Sequence, residues 1–147
     1  MSGRPTPRST PKAPPKHSTL LYLEDQAEGI ALVGGFVEAR KDLVLLHAPD
    51  IDSLIRLARR EHPAVALINI DLTALAPRDL VKRLRTEPAL RQALLLALGT
   101  DAKPSVITQS LEAGMFLYLA KPLQAQPFME ALDFALEFAA AERAEQL

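Results

Sequence analysis

Residues 62–72, HPAVALINIDL, decide the fold: the His62-Pro63 turn signal, then apolar Ala64–Ile68, then a polar residue, Asn69. A short apolar run bounded by turn signals predicts a buried strand. Two further stretches repeat the pattern: LLYLEDQ (20–26) ends in an acidic pair, and LEAGMFLYLAKPL (111–123) ends in Lys-Pro. Because carboxyl ends of parallel strands share one crevice, we expect these polar side chains to converge there. Two acids, a central amide and a lysine suggest a metal-assisted phosphoryl site whose nucleophile has been lost.

Helical patterns alternate with the apolar runs along the chain. Ile30, Val33, Gly34 and Val37 recur at helical spacing. Asp50 is a predicted helix N-cap, Pro77 and Pro104 suit first helical turns, and Gly114 suits a helix end. The last helix is predicted to begin near Gln126-Pro127. The predicted strands are Leu20–Leu23, Leu43–Leu46, Ala64–Ile68, Leu94–Leu98 and Met115–Leu119.

This rhythm gives five β-α units in succession. The predicted strands are continuously apolar, as expected when helices cover both faces of a sheet. With right-handed crossovers, the units form a doubly wound parallel α/β sheet.

Charge and composition divide the chain into a tail and a domain. Residues 1–17 hold five of the twelve prolines and the basic residues Arg4, Arg8, Lys12 and Lys16. Without these four, 13 of the 17 basic residues face 18 acids, a net charge of −5. We predict an extended or disordered tail at 1–17 and one folded domain at 18–147. An acidic domain argues against sequence-specific nucleic-acid binding.

Several classes of protein are excluded by what the sequence lacks. It contains no cysteine, so disulfides and thiolate metal sites are ruled out. Its three histidines are scattered, and no Ser-His-Asp constellation stands out, which argues against a hydrolase. No apolar run reaches the length of a membrane span, and there is no secretory signal. We expect a soluble cytoplasmic protein that is not an enzyme.

The three quoted stretches, in this order and spacing, make the chain similar to the receiver domain of two-component response regulators. The resemblance covers about Thr19 to Ala140. It implies a five-stranded (βα)5 flavodoxin-like fold, a three-layer sandwich with strand order 2-1-3-4-5. It also implies a phosphoryl-transfer site at the carboxyl edge of the sheet.

The resemblance assigns roles to the acidic pair and to the central amide. Glu24 and Asp25 match the acids that help to hold Mg²⁺, and adjacent carboxylates suit a hard cation. The alternative is that they only cap the following helix. Asn69 stands at the position of the family's phosphoacceptor aspartate. An amide is neutral and far less nucleophilic than a carboxylate, so ordinary aspartyl phosphorylation should fail there.

Two more positions concern the same chemistry. Gly99 stands where the family places a Ser or Thr whose hydroxyl contacts the phosphoryl group, and Thr100 is the nearest substitute. Asp71 matches a position that gives a backbone carbonyl to the metal. We favour an Asx turn for Asp71, with metal binding or phosphate acceptance by its carboxylate as the alternative.

Three residues near the fifth strand complete the resemblance. Lys121 matches the lysine that pairs with the phosphoryl oxygens, and without phosphate we predict a salt bridge to Glu24 or Asp25. Pro122 matches a cis-proline turn. Tyr118 matches an aromatic residue that moves between inward and outward rotamers on activation. The small Gly99 beneath it leaves room for an inward pose.

The last predicted helix carries a candidate interface. Phe128, Leu132, Ala135 and their neighbours should face the sheet, whereas Phe134 and Phe138, spaced i and i+4, fall near the opposite side. Two exposed phenylalanines on one stripe suggest an interaction surface. We predict a homodimer through this helix.

Three functional hypotheses follow. The leading one is a free-standing, degenerate (pseudo-receiver) signalling protein that binds partners such as a histidine kinase or a downstream effector, with no cofactor beyond weak Mg²⁺. The second is a receiver that still binds Mg²⁺ through Glu24, Asp25 and Asp71 and is phosphorylated on Asp71. The third is a small flavin or nucleotide binder, which the charged Glu24-Asp25-Gln26 loop disfavours.

Overall fold

The computed structural model describes residues 18–145, an alternation of strands and helices. The predicted tail at 1–17 lies outside this range. The strands are β1 (Ser18–Leu23), β2 (Leu43–Ala48), β3 (Val65–Asn69), β4 (Leu94–Gly99) and β5 (Leu117–Ala120). The helices are α1 (Ala27–Val37), α2 (Ile51–Glu61), α3 (Pro77–Arg85), α4 (Pro104–Ala113) and α5 (Ala125–Glu145), with 3-10 turns at Ile70–Leu72 and Pro88–Leu90.

The five strands form one parallel sheet in the order β2-β1-β3-β4-β5, which confirms the predicted fold class. The chain reverses its direction of winding at β1, so β1 and β3 lie side by side in the centre. Leu23 pairs with Ile68, and Gly99 pairs with Ala120. This register brings the carboxyl ends of β1, β3, β4 and β5 to one edge of the sheet.

Helices cover both faces of the sheet, so successive strand residues, which point to opposite sides, are buried in one of two cores. One core contains Leu21, Ile68 and Leu95 with residues of α2 and α3. The other contains Tyr22, Leu67 and residues of α1 and α5. This two-sided burial is why the strands are continuously apolar.

Most helix ends follow the sequence signals. The Asp50 carboxylate accepts a hydrogen bond from the Ser53 backbone N–H at 2.8 Å, which confirms the predicted N-cap. Gly114 has φ 118°, the left-handed conformation of a helix C-cap. Within residues 18–145, none of the helices is both long and apolar enough to cross a bilayer.

The predicted fifth strand, Met115–Leu119, begins two residues too early and ends one residue too early. The Met115 backbone N–H donates to the Ser110 carbonyl at 3.0 Å, so this residue closes α4 and does not extend the strand. The strand therefore begins at Leu117 and reaches Ala120, directly before Lys121. The predicted second strand also gains two residues and ends at Ala48.

Candidate functional site

The ends of β1, β3 and β5 bring Glu24, Asn69 and Lys121 together at the carboxyl edge of the sheet. The Asn69 side-chain Nδ2 lies 3.0 Å from both carboxylate oxygens of Glu24. The Lys121 Nζ donates to Asn69 Oδ1 at 2.8 Å. The amide therefore bridges an acid and a base from two other strand ends, and the predicted convergence is observed.

Glu24 is only 3% exposed, so its carboxylate depends on protein donors. The Tyr22 hydroxyl donates to Oε1 at 3.1 Å, and the backbone N–H groups of Asp25 and Gln26 donate to Oε2 at 3.1 and 3.2 Å. Together with the Asn69 amide, these groups give the Glu24 carboxylate four hydrogen-bond donors. The two N–H groups at this loop are thus engaged by Glu24, which removes donors that a nucleotide phosphate would need.

Sequence reasoning missed two residues that shape this part of the site. Burial raises the pKa of the Tyr22 hydroxyl, and the adjacent Glu24 carboxylate raises it further, so the hydroxyl stays a donor. A Cβ on Gly29 would collide with the Glu24 carboxylate, approaching its Cδ to 2.8 Å. The signals were a tyrosine in a buried strand, whose hydroxyl needs a partner, and a glycine inside the first helix.

Asp71 is the second anion of the crevice, and it holds three chain segments together. Its carboxylate accepts from the Thr100 hydroxyl at 2.6 Å and from the Thr100 backbone N–H at 3.2 Å. Lys121 Nζ donates to Oδ2 of Asp71 at 3.0 Å. The Asp71 backbone N–H donates to Asn69 Oδ1 at 3.0 Å, so the Asx turn here belongs to the Asn69 side chain. The Asx turn favoured for Asp71 itself was wrong, because its carboxylate accepts from Thr100 and Lys121 instead.

The predicted salt bridge from Lys121 to Glu24 or Asp25 was wrong. The lysine pairs with Asp71 instead, because Glu24 already accepts from other donors and the exposed Asp25 is bound by the Gln26 side chain. Burial acts to raise the pKa of Asp71, but the hydrogen bonds from Thr100 and Lys121 outweigh it. The pKa of this carboxyl is therefore lowered from its ordinary value.

The acidic pair does not converge as the sequence suggested. Asp25 is exposed and accepts a hydrogen bond from the Gln26 side chain at 3.0 Å. Across residues 18–145 there is no group of three His, Cys, Asp or Glu side chains arranged to hold a metal ion. The lysine ammonium lies between Asn69 and Asp71, where a second cation would be repelled. The donors at this edge do not fit a Mg²⁺ site.

The Tyr118 side chain occupies the space beside Gly99. A Cβ on Gly99 would collide with the Tyr118 hydroxyl and approach Ile70 Cδ1 to 2.9 Å. The tyrosine hydroxyl thus lies over the glycine, in the space that the missing side chain leaves, and it donates to the Asp101 carbonyl. Burial raises the pKa of Tyr118, as do Asp71 and Asp101.

A cleft of about 370 Å³ lies beside this network. Its polar floor includes Glu24, Asn69 and Lys121, and its walls include Leu32 and Leu123. The Lys121-Pro122 peptide bond at its rim is cis, as the resemblance implied.

A second surface feature lies on β5 and α5. Phe134 and Phe138 are 54% and 41% exposed, which confirms that they point away from the sheet. Both rings contact Phe116, at centroid distances of 5.7 and 5.0 Å. We call Phe116, Phe134 and Phe138 the phenylalanine patch.

This architecture is the CheY-like, flavodoxin-like fold, and it is similar to solved structures of response regulator receiver domains. No protein-family model and no curated protein sequence matches the chain. A CheY-like response regulator receiver domain protein from Methanospirillum hungatei JF-1 aligns with a TM-score of 0.73 and 18% identity, over 86% of this chain and 99% of that one.

Two further structures have the same fold. Chemotaxis protein CheY4 of Vibrio cholerae aligns with a TM-score of 0.71 and 16% identity, over 81% of this chain and 98% of that one. The receiver domain of sensor histidine kinase PA1611 from Pseudomonas aeruginosa PAO1 aligns with a TM-score of 0.67 and 20% identity, over 84% and 98%. That structure holds a magnesium ion in its active site cleft. At these identities the likeness establishes the fold.

The close approach of Gly29 to Glu24 gives a first prediction. Gly29→Ala should displace the Glu24 carboxylate and lower the free energy of unfolding by about 1–3 kcal/mol, the cost of leaving buried polar groups unsatisfied. Gly34→Ala is the matched control, because its Cβ would meet nothing within 4 Å in the same helix. The control should be stabilised by up to about 1 kcal/mol. Urea unfolding measures both, and equal effects of the two substitutions would contradict the packing of Glu24 on Gly29.

The lowered pKa of Asp71 gives a second prediction, for acid pH. Its folded pKa lies below the unfolded value of about 3.9, so its carboxylate stabilises the fold above that pH. The contribution is lost as the pH falls through the folded pKa. For a pair with side chains 26% and 37% exposed it should stay below about 1 kcal/mol. Asp71→Asn should therefore be less stable than the parent at pH 6 and approach it below about pH 4.

Urea midpoints across this pH range measure the difference between the two proteins. Asp25→Asn controls for the change in net charge. A difference between parent and Asp71→Asn that stays constant from neutral to acid pH would rule out the ionised Asp71 contacts.

Proposed function

We propose that the chain is a receiver-like, pseudo-receiver signalling module of a two-component or phosphorelay system that acts by binding other proteins. It does so without phosphorylation at the usual aspartate position, and it is not an enzyme. The observation that carries the proposal is the Asn69 amide, held between Glu24 and Lys121 at the position of the phosphoacceptor. A carboxamide there has no anionic oxygen with which to attack phosphorus.

The rest of the crevice supports a silent site. Thr100 and Lys121, which could contact a phosphoryl group, are both engaged by the Asp71 carboxylate. Tyr118 occupies the space that a side chain at residue 99 would need. The Asp71 carboxylate thus takes the place that a phosphoryl group would occupy beside Thr100 and Lys121. The β4–α4 connection is held by this contact, without phosphorylation.

The alternative, phosphorylation of Asp71, has less support. Its carboxylate already accepts three hydrogen bonds, and attack on a phosphodonor would require it to leave Lys121 and Thr100. The lack of a fitting Mg²⁺ site removes the charge compensation that phosphoryl transfer uses.

Partners in such a role would be proteins: a histidine kinase, a downstream effector, or a second copy of this chain through the phenylalanine patch. The patch presents two half-exposed aromatic rings side by side, an arrangement enriched at interfaces. A cytoplasmic location accords with this role, and nucleic acid is not proposed as a partner.

The phosphorylation prediction compares the parent with Asn69→Asp. Incubated with acetyl phosphate and Mg²⁺, the parent should gain no phosphoryl mass in intact-mass spectrometry. Asn69→Asp restores a nucleophile and also adds a second carboxylate beside Glu24 that can hold Mg²⁺, so it should gain a hydroxylamine-labile adduct. Asn69→Ala is the negative control. Circular dichroism checks that each variant is folded.

Two outcomes would count against the proposal. A stoichiometric, hydroxylamine-labile adduct on the parent would contradict a silent site. If Asp71→Ala then removed that adduct, the second hypothesis, a receiver phosphorylated on Asp71, would replace it.

The dimer prediction concerns Phe134 and Phe138. Phe134→Glu with Phe138→Glu should turn a dimer into a monomer, because two desolvated charges would oppose the association. Leu75→Glu, at a similarly exposed apolar residue (42%) on another surface, is the control. Sedimentation velocity measures the mass, and a parent that is monomeric at all concentrations would refute the dimer.

A further inference from the structure

A cavity lies at the amino edge of the sheet, opposite the crevice. It encloses about 780 Å³, a volume typical of sites for small ligands. Its walls come from the turn that follows α2, the loop that precedes β4, and the last turns of α5. The side chains that define its charge are His62, Arg85, Arg91, Glu142 and Arg143.

The arginines of this cavity differ from most others of the described chain. Arg40, Arg59, Arg60 and Arg83 each form an ion pair with a carboxylate. Among residues 18–145, no carboxylate lies within ion-pair distance of the three cavity arginines. Three permanent positive charges thus surround the cavity, against the single acid Glu142. This is a local excess in a domain whose net charge is negative.

Arg85 is fixed in place by the loop that it faces. Its Nη1 donates to the Leu90 carbonyl and to the Ala93 carbonyl, the latter at 2.7 Å. Both acceptors are neutral, and burial lowers the pKa of this guanidinium. A guanidinium carries five N–H donors, so its remaining donors are available to a ligand. A partly buried cation without a counter-ion is costly, and an anion in the cavity would compensate for it.

The ends of the helices explain part of this charge but not all of it. The carboxyl ends of α2, α3 and α5 point to this edge, and basic residues in last helical turns offset their partial negative charge. Arg91 lies outside these helices, next to the loop that Arg85 holds. Apolar surface from Pro63, Pro88 and Leu94 completes the lining.

We propose that this cavity binds a nucleotide carrying two or more phosphoryl groups. Arg85, Arg91 and Arg143 hold the phosphates, since guanidinium groups match phosphate oxygens in charge and geometry. The apolar part of the lining, chiefly the exposed Pro88 beside the largely buried Pro63 and Leu94, packs against the base. This site is independent of the proposed signalling role, because it lies at the opposite edge of the sheet and shares no residue with the crevice.

The test is calorimetric titration of the full chain with ATP, tripolyphosphate and adenosine in magnesium-free buffer. ATP should bind, tripolyphosphate should bind more weakly, and adenosine should not bind. Arg91→Glu with Arg143→Glu should weaken ATP binding by about a hundredfold, roughly tenfold for each charged contact. Arg78→Glu, an arginine on α3 outside the cavity, makes the same charge change and should bind ATP like the parent.

Amide chemical shifts then locate the ligand. Addition of ATP should shift the resonances of Ala64, Ala93 and Leu94. Unchanged ATP affinity in Arg91→Glu/Arg143→Glu would assign the binding to the basic segment 1–17 or another surface and overturn the proposal. Shifts centred on Thr100 and Lys121 would place the ligand in the crevice and also overturn it. Equal affinity for ATP and tripolyphosphate would overturn the nucleotide assignment.

Discussion

The site depends on one hydrogen-bonded bridge, the Asn69 side chain between Glu24 and Lys121. An amide can donate to the buried Glu24 carboxylate and accept from the lysine ammonium at the same time. An ionised aspartate could do only the second, and it would bring two carboxylates to about hydrogen-bond distance. The neutral amide at residue 69, which carries no anionic oxygen, therefore satisfies the buried Glu24 carboxylate without adding a second charge beside it.

Around this bridge, two glycines and Asp71 take unusual positions, and each is explained by a neighbouring side chain. Gly29 lies inside a helix, where glycine is unfavourable, because the Glu24 carboxylate occupies the space beside it. Gly99 ends a buried strand without a side chain, and Tyr118 fills that space. Asp71 links the ends of β3, β4 and β5 through Lys121 and Thr100. None of these features would define a site alone. Together they form an edge of the sheet whose polar side chains hydrogen-bond to one another.

Apolar runs, caps and turn residues predicted the five β-α units and most helix ends, whereas the strand order was what the resemblance to receiver domains implied. Sequence reasoning also predicted which strand ends would meet. It could not predict that Lys121 would form its ion pair with Asp71. That pairing depends on Glu24 being buried with its carboxylate already hydrogen-bonded to other groups, which no local pattern shows. The fifth strand was misplaced because Met115 is as apolar as a strand residue, yet its N–H closes the preceding helix. Sequence reasoning could not predict the arginine-lined cavity either, because its residues come from segments far apart in sequence.

The most direct measurement exchanges donor and acceptor between Glu24 and Asn69. The free energy of unfolding is compared for the parent, Glu24→Gln, Asn69→Asp and the double variant. If the side chains share a buried hydrogen bond, each single variant is destabilised and the double variant recovers about 1.5–3 kcal/mol relative to additivity. Additive effects within about 0.5 kcal/mol would mean that the two side chains do not depend on each other, and the account of the crevice would be wrong.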